Sequence, residues 1–309
     1  MAIDILLATY NGERFIQQQL FSLLMQTYTD WCCYIHDDGS SDNTVSIVKS
    51  FSEKDSRFVF VDDKIKCGGP ANNFLHLLKF SSAEYCCFCD QDDIWLDNKL
   101  QKYIDAISAK DNSKPQVVFF NSHLWNSDSD SITGNATLAF PKNIESLLFL
   151  NCGIQGCAGV FNKEMVHHLR NPLEHNAMHD HYLTLLGCSS IGEISYVHEN
   201  TMLYRQHSNN VTGKAFGSIK EKYKSVFTVR KAVVSKEHLI AVKDFYELYK
   251  SVLSEDNIKK FDFFIKSKNF NIFKKIFFIV KYGFNIYGSR IKLIVKIFMR
   301  PYIENGEKK

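Results

Sequence analysis

The 309-residue chain, 45% hydrophobic and 23% charged, is long enough to bury a substantial core as one large domain or two smaller ones. Its net charge of +3 is too small to argue for a nucleic-acid partner. Nine cysteines in no regular framework, several inside strand-like runs, suit buried reduced thiols of a cytosolic protein better than a disulfide scaffold. Cys86 and Cys89 form a Cys-x-x-Cys, but no second pair at zinc spacing accompanies them.

Ile3 to Ala8 reads as a short apolar strand leading into the turn-like Thr9-Tyr10-Asn11-Gly12. Asp4 interrupts that run and no basic segment precedes it, so it does not read as a signal peptide. Phe15, Ile16, Leu20, Leu23 and Leu24 then recur at helical spacing between Glu13 and Gln26. Trp31 to His36 is a second strand, ending in Asp37-Asp38-Gly39-Ser40-Ser41-Asp42, with Asp42 expected to N-cap the helix through Val45 and Val48. Phe58 to Val61 is a third strand, and Cys67-Gly68-Gly69-Pro70 a loop entering a helix around Phe74 to Leu78. Glu84 to Cys89 is a fourth. Strands alternating with helices imply βαβ units and a mostly parallel sheet, whose ligands bind beyond the carboxyl ends of the strands. Polar clusters stand at those ends: Thr9-Tyr10-Asn11, Asp37-Asp38, and Asp90 to Asp93.

The last cluster places three acids within four positions, Asp90-Gln91-Asp92-Asp93, after an apolar run and before Trp95. Carboxylates released together repel one another unless a cation sits among them. Mg²⁺ and Mn²⁺ take oxygen ligands, so a metal–phosphate site at a strand end is one reading and a solvated acidic turn the other. The first turn lacks a glycine-rich phosphate fingerprint, and no Gly-x-x-x-x-Gly-Lys-Ser/Thr occurs, against both a dinucleotide oxidoreductase and a P-loop kinase. Asp37 or Asp38 can accept hydrogen bonds from a pyrimidine imide or a ribose hydroxyl, and Tyr10 can flank a base or merely cap its strand.

Further along, Gln116 to Phe120 reads as a strand and Asn126 to Asn135 as a polar surface loop. The glycine-rich run Asn151 to Phe161 suggests a backbone closely approached by a ligand or by another part of the chain. Met178-His179-Asp180-His181-Tyr182 opens a helix, where Asp180 has at least a capping role. Helical patterns follow over 219–234 and 239–253. From Phe263 to Ile303 there is no acidic residue, while nine Lys and Arg interleave with large apolar residues. That pattern fits an amphipathic helix in the headgroup region of an anionic membrane, or a basic helix packed on the rest of the protein. No uncharged apolar stretch is long enough to span a bilayer.

Leu7-Ala8-Thr9-Tyr10-Asn11-Gly12, Gln26-Thr27-Tyr28, Asp37-Asp38-Gly39-Ser40-Ser41-Asp42-Asn43-Thr44 and Asp90-Gln91-Asp92-Asp93-Ile94-Trp95 together resemble the signature blocks of glycosyltransferase family 2, in order and spacing. The Asp-Gln-Asp-Asp-x-Trp version and Tyr204-Arg205-Gln206-His207 resemble its bacterial rhamnosyltransferase-like group of surface-polysaccharide assembly. The resemblance spans about residues 2–215. It implies a GT-A nucleotide-sugar-binding domain over 1–216, an α/β fold with a central, mostly parallel mixed sheet, followed by a basic helical extension over 217–309. It also implies an inverting, metal-dependent transferase on the cytoplasmic face of the membrane, with a lipid-linked acceptor and dTDP-L-rhamnose as first donor, UDP-linked hexoses remaining open.

Residue by residue, the resemblance assigns the nucleotide and donor to Ala8 (through its backbone), Tyr10, Asp37, Asp38, Lys66, Asp90, Asp93 and Arg205. Mg²⁺ or Mn²⁺ falls to Asp92 and Asp90, with His207 as a further ligand. Asp180 becomes the general base, its pKa open to tuning by His179 and His181, and Gln155, Gly156, Trp95 and His179 fall to the donor or acceptor sugar. Two rivals stand beside this reading. A sugar-nucleotide nucleotidyltransferase would need a glycine-rich basic loop where Thr9-Tyr10-Asn11-Gly12-Glu13 stands, and an inactive sugar-binding module would not need Asp92, Asp180 and Arg205.

Overall fold

The computed structural model describes residues 1–171, 173–175, 178–206 and 232–303. The first half alternates as expected: β1 (Ile3–Thr9), α1 (Ile16–Leu24), β2 (Trp31–Asp37), α2 (Thr44–Ser52), β3 (Phe58–Val61), α3 (Pro70–Leu77) and β4 (Tyr85–Asp90). β1 pairs in parallel with both β2 and β4, and β2 with β3. Ala8 lies opposite Asp90 and Thr9 opposite Asp37, so the polar strand ends meet on one edge of the sheet.

Side chains on a strand alternate between its faces, and here both faces are covered. Ile3, Ile5 and Leu7 pack with α1 on one side, while Leu6 and Ala8 join the core on the other. The same period divides β4, with Cys87 and Cys89 on the first side and Cys86 and Phe88 on the second. Cys86 and Cys89 therefore point apart and cannot share a metal.

β5 (Ile94–Trp95), α4 (Lys99–Ser108), β6 (Gln116–Asn126), β7 (Ser131–Asn135), α5 (Ile144–Leu147), β8 (Gly159–Asn162), α6 (Lys163–Leu169), α7 (His179–Cys188) and β9 (Glu193–Gln206) complete this half of the molecule. The sheet runs β3-β2-β1-β4-β8-β6-β9-β5, with β7 added to β6. β8 is antiparallel to both β4 and β6, and β6 is parallel to β9, so the sheet is mixed. β9 also pairs with β5, Ile94 facing Leu203, which draws the end of β9 beside the acidic loop.

Two local expectations are corrected. Residues 131–135 form an exposed strand paired with β6, not a loop; their polarity reflects a strand whose side chains all meet solvent. Asn43, not Asp42, holds the N-cap position of α2; the Asp42 carboxylate instead accepts from the Thr44 and Glu13 amides and so ties the first turn to the second.

Four helices end the described chain: α8 (Lys236–Tyr249), α9 (Glu255–Lys266), α10 (Ile272–Tyr282) and α11 (Arg290–Met299). Phe245, Phe261, Phe264, Phe284 and Ile297 share one continuous core with Leu148 and Phe149. The helical extension is thus packed on the α/β unit. The expected boundary at 216/217, and most of the helix expected over 219–234, lie outside the described residues.

Candidate active site

A cleft of about 830 Å³ opens along the carboxyl edge of β1, β2 and β4, within the size range of small-molecule sites. Ala8, Tyr10, Asp38, Lys66, Asp90 and Asp92 all line it. Tyr10 stands exposed at the mouth, held by a pair of bonds from its backbone to one side chain: Tyr10 N–H to Gln91 Oε1 at 2.9 Å and Gln91 Nε2 to Tyr10 C=O at 3.0 Å. A Cβ on Gly12 would stand 2.2 Å from that Gln91 oxygen, so a side chain there would push the Gln91 tip out of this clamp.

Asp38 accepts from the amides of Cys67, Gly68 (3.1 Å) and Gly69 (2.7 Å), drawing the loop before α3 over the cleft. Gly68 and Gly69 take φ of +74° and +142°, a backbone path that side-chain-bearing residues rarely follow. A carboxylate offers about four acceptor positions, so Asp38 keeps capacity for one ligand bond. Lys66 rises from the same loop and packs over Gly39. Asp37 differs. It does not line the cleft, and its carboxylate accepts from Thr9 Oγ1, the Gly39 amide, and the Ser40 amide and hydroxyl at 2.6–3.0 Å. The expected nucleotide contact at Asp37 is therefore replaced by a turn-forming role.

The acidic cluster splits by depth. Asp92 and Asp90 face the cleft, whereas Asp93 is fully buried behind it. Burial, then the neighbouring Asp92, pushes the Asp90 carboxyl up to about 6. Asp93 is raised further, first by burial and then by Asp92 and Asp90. Its carboxylate accepts the Arg205 amide at 3.1 Å and faces the Cys157 thiol at 3.5 Å. Asp93 thus braces the wall and does not reach a donor sugar. Ligand atoms of Asp90, Asp93 and Cys157 all lie within 4.8 Å of one another, and mutual repulsion among such carboxylates is what a cation relieves. That trio includes a thiol and the buried Asp93; the carboxylates that face the cleft, Asp90 and Asp92, are the oxygen donors that fit Mg²⁺ or Mn²⁺.

Arg205, buried at the end of β9, is sandwiched between Phe15 (4.7 Å) and Trp125 (4.4 Å). It donates from Nε to the Asp92 carbonyl and from Nη2 to Gln18 Oε1, each at 2.6 Å. Where a contact with the donor diphosphate was expected, this geometry makes Arg205 a brace for the Asp92 backbone, and it is not among the residues lining the cleft. His207, the expected further metal ligand, lies outside the described residues.

Asp180 sits in the first turn of α7, half-buried. Burial pushes its carboxyl up to about 7, the His181 amide pulls it back, and the charge of Asp90 raises it again; Asp180 itself is not among the residues lining the cleft. The imidazoles beside it contribute no such tuning. His179 is buried against Phe74 (4.1 Å) and Phe88 (4.8 Å), and burial alone pushes its pKa down to about 3. His181 is buried against His238 and likewise depressed. His179 therefore occupies the core in place of the expected sugar contact. So does Trp95, 3% exposed beneath the Lys99 ammonium at 3.9 Å.

The glycine-rich run is approached by protein. A Cβ on Gly153 would stand 2.6 Å from the backbone of Asp180 and His181, and one on Gly156 2.6 Å from His179 Nε2. These glycines let the loop press against the start of α7. Gln155 beside them accepts from Ser122 at 3.0 Å, and its buried Nε2 donor has no partner among the described residues.

Sequence reasoning missed Lys99, fully buried and donating to the Cys157 carbonyl at 2.8 Å and Met202 sulfur at 2.9 Å. Its charge lies near Asp93 and offsets part of the acidic cluster. Nothing in its local pattern separates it from a surface lysine of an amphipathic helix. The Gln91 clamp was also missed, although a glutamine between three acids is a readable oddity.

Among known proteins, the sequence profile of glycosyl transferase family 2 matches residues 4–170. The chain is 30% identical over 253 residues to the dTDP-rhamnosyl transferase RfbG of Shigella flexneri, covering 75% of this chain and 81% of that one. It is 29% identical over 222 residues to the Escherichia coli UDP-Glc:alpha-D-GlcNAc-diphosphoundecaprenol beta-1,3-glucosyltransferase WfgD, covering 72% and 83%. The mannosyltransferase PcManGT of Pyrobaculum calidifontis, solved with GDP-Man and Mn²⁺, superposes with a TM-score of 0.52 at 14% identity, over 96% of this chain and 87% of that one.

Proposed function

The chain belongs to glycosyl transferase family 2, with a GT-A fold and a nucleotide-sugar donor, and from that premise we propose that it is an inverting, cation-dependent transferase acting on a lipid-linked glycan at the cytoplasmic face of a bacterial membrane. The observation that carries this reading is the meeting of the strand-end acids Asp38, Asp90 and Asp92 around one cleft.

The nucleoside lies along Ala8, Tyr10 and Asp38, where the remaining acceptor position of Asp38 takes a base or ribose donor. Lys66 and the 67–69 amides close over it. Asp92 and Asp90 would hold Mg²⁺ or Mn²⁺, which when bound neutralises the diphosphate and the clustered carboxylates. Arg205 keeps the Asp92 backbone in place and sets a fixed positive charge beside the leaving group. Asp180 accepts the proton of an acceptor hydroxyl. That oxygen bonds to the anomeric carbon from the face opposite the diphosphate, whose oxygen departs with the electron pair of the broken C–O bond. A base poised near neutrality suits this step. The unpartnered Nε2 donor of Gln155 supports a contact with a sugar hydroxyl.

The donor reading follows the relatives: dTDP-L-rhamnose first, supported by the match to RfbG, and UDP-glucose second, supported by the nearly equal match to WfgD. The diphosphoundecaprenol in the latter's name supports a lipid-linked acceptor. Purified protein incubated with each donor, Mn²⁺ and a lipid-diphosphate sugar is expected to extend the acceptor from one donor. No transfer or donor hydrolysis from any nucleotide sugar would sink the reading.

A further inference from the structure

The last two helices are apolar on two sides. Ile279 of α10 and Leu293 and Ile297 of α11 face the core. Yet Phe273, Phe277 and Val280 are 80%, 61% and 51% exposed, and Ile291, Val295 and Phe298 are 75%, 47% and 64% exposed. Each trio follows the i, i+4, i+7 spacing of a single helical stripe. A solvent-facing stripe on a globular protein is normally polar, and an apolar one marks an interaction surface.

Charge selects the partner. Residues 263–303 carry nine Lys and Arg and no Asp or Glu. Lys274, Lys281 and Lys292 are exposed on the same helices, and the Lys281 ammonium lies 6.0 Å from the Phe277 ring. Such lysines lay their stems on apolar surface and extend their charge toward anions. A second copy of this chain docked through the same face would oppose like charges. The helices, 11 and 10 residues long, are too short to cross a bilayer, and no described helix is long and apolar enough to do so.

We infer that α10 and α11 form a docking face for an anionic phospholipid bilayer, lying in its plane with the two exposed apolar stripes in the headgroup boundary and the lysines among the phosphates. The face is tied to the catalytic half: Lys296 of α11 donates to the Val233 carbonyl at 3.1 Å, which also accepts from Asn151, next to the loop pressed on the start of α7. In linking this face to an acceptor reaching Asp180 from the membrane, the inference rests on the lipid-linked acceptor proposed above.

The test is co-sedimentation of the full-length protein with sucrose-loaded vesicles of phosphatidylcholine, with and without about 30% phosphatidylglycerol. Binding is expected to the anionic vesicles, falling about tenfold or more on neutral ones and again in about 0.5 M salt. The double substitution Phe277→Ser/Phe298→Ser, and separately Lys274→Glu/Lys281→Glu, is expected to weaken binding about tenfold or more, with melting temperature and donor hydrolysis unchanged. Wild-type protein left in the supernatant with anionic vesicles, or both variants binding as wild type, would overturn the proposal. A wild-type dimer that Phe277→Ser/Phe298→Ser dissociates, without vesicle binding, would assign the face to a second copy instead. Asp92→Ala protein is expected to bind vesicles normally: loss of transfer with intact sedimentation leaves docking standing, and the converse result leaves the transferase standing.

Discussion

Asp180 has a carboxyl that burial holds near pH 7, and two consequences follow at the level of this one residue. As the proposed base it must be ionised, so kcat/KM is expected to rise with pH up to about 7 and then level, and Asp180→Asn to cost roughly 10²–10⁴-fold in kcat. The same burial makes the ionised form unfavourable to the fold. The folded pKa lies above the unfolded one, so the folded state binds more protons between the two values. Stability from this group is full below about pH 4 and declines as pH rises through about 7. Asp180→Asn is therefore expected to melt with wild type near pH 4 and above it at pH 8. An equal melting temperature at both pH values would contradict this. Arg205 gives a second case. Its planar guanidinium fits between Phe15 and Trp125 while holding the Asp92 carbonyl, so Arg205→Lys is expected to lower kcat/KM roughly tenfold or more despite keeping the charge. At this scale the sequence was a partial guide. Asp38, Asp90, Asp92 and Asp180 could be picked out because each ends a strand or opens a helix. Trp95 and His179 sit one to three residues from site acids and share their neighbourhood in the chain, but their side chains turn inward, and only the packing around them tells which way.

The elements explain why these residues converge. Parallel pairing in register sets Ala8 beside Asp90 and Thr9 beside Asp37, which alternating apolar runs and their polar ends already suggested. The long strand β9 was not legible, because its apolar and polar residues follow no steady alternation and its role depends on pairing with β5 and β6, distant in sequence. That pairing is what carries Arg205 to Asp92. The glycines at 153 and 156 were visible as a close-approach signal, but what approaches them, the start of α7, required the fold. Backbone at 2.6 Å cannot rotate away, so Gly153→Ala is expected to destabilise the protein by about 1–3 kcal/mol, measured by urea unfolding. Gly12→Ala should act differently: its Cβ meets the tip of the Gln91 side chain, releasing Tyr10 and raising donor KM with little change in unfolding midpoint. A loss of kcat with KM unchanged would show that Tyr10 is not held for the nucleotide.

At the scale of the whole molecule, one core runs from the catalytic sheet into the C-terminal helices, which therefore form a fixed platform beside the α7 end of the site. The composition of that region, basic and apolar with no acid over 263–303, was legible as a surface-active segment; which side chains pack inward and which remain outside was not, since both stripes are equally apolar in sequence. The central claim is that Asp90 and Asp92 use a divalent cation to hold a nucleoside diphosphate in the strand-end cleft, and calorimetric titration tests it most directly. Titrating UDP and dTDP into the full-length protein should give binding with Mn²⁺ present, a loss of roughly 100-fold or more in chelator, and a similar loss in Asp92→Ala with Mn²⁺ present. Binding of equal strength with and without the cation, or binding undiminished by Asp92→Ala, would contradict the account.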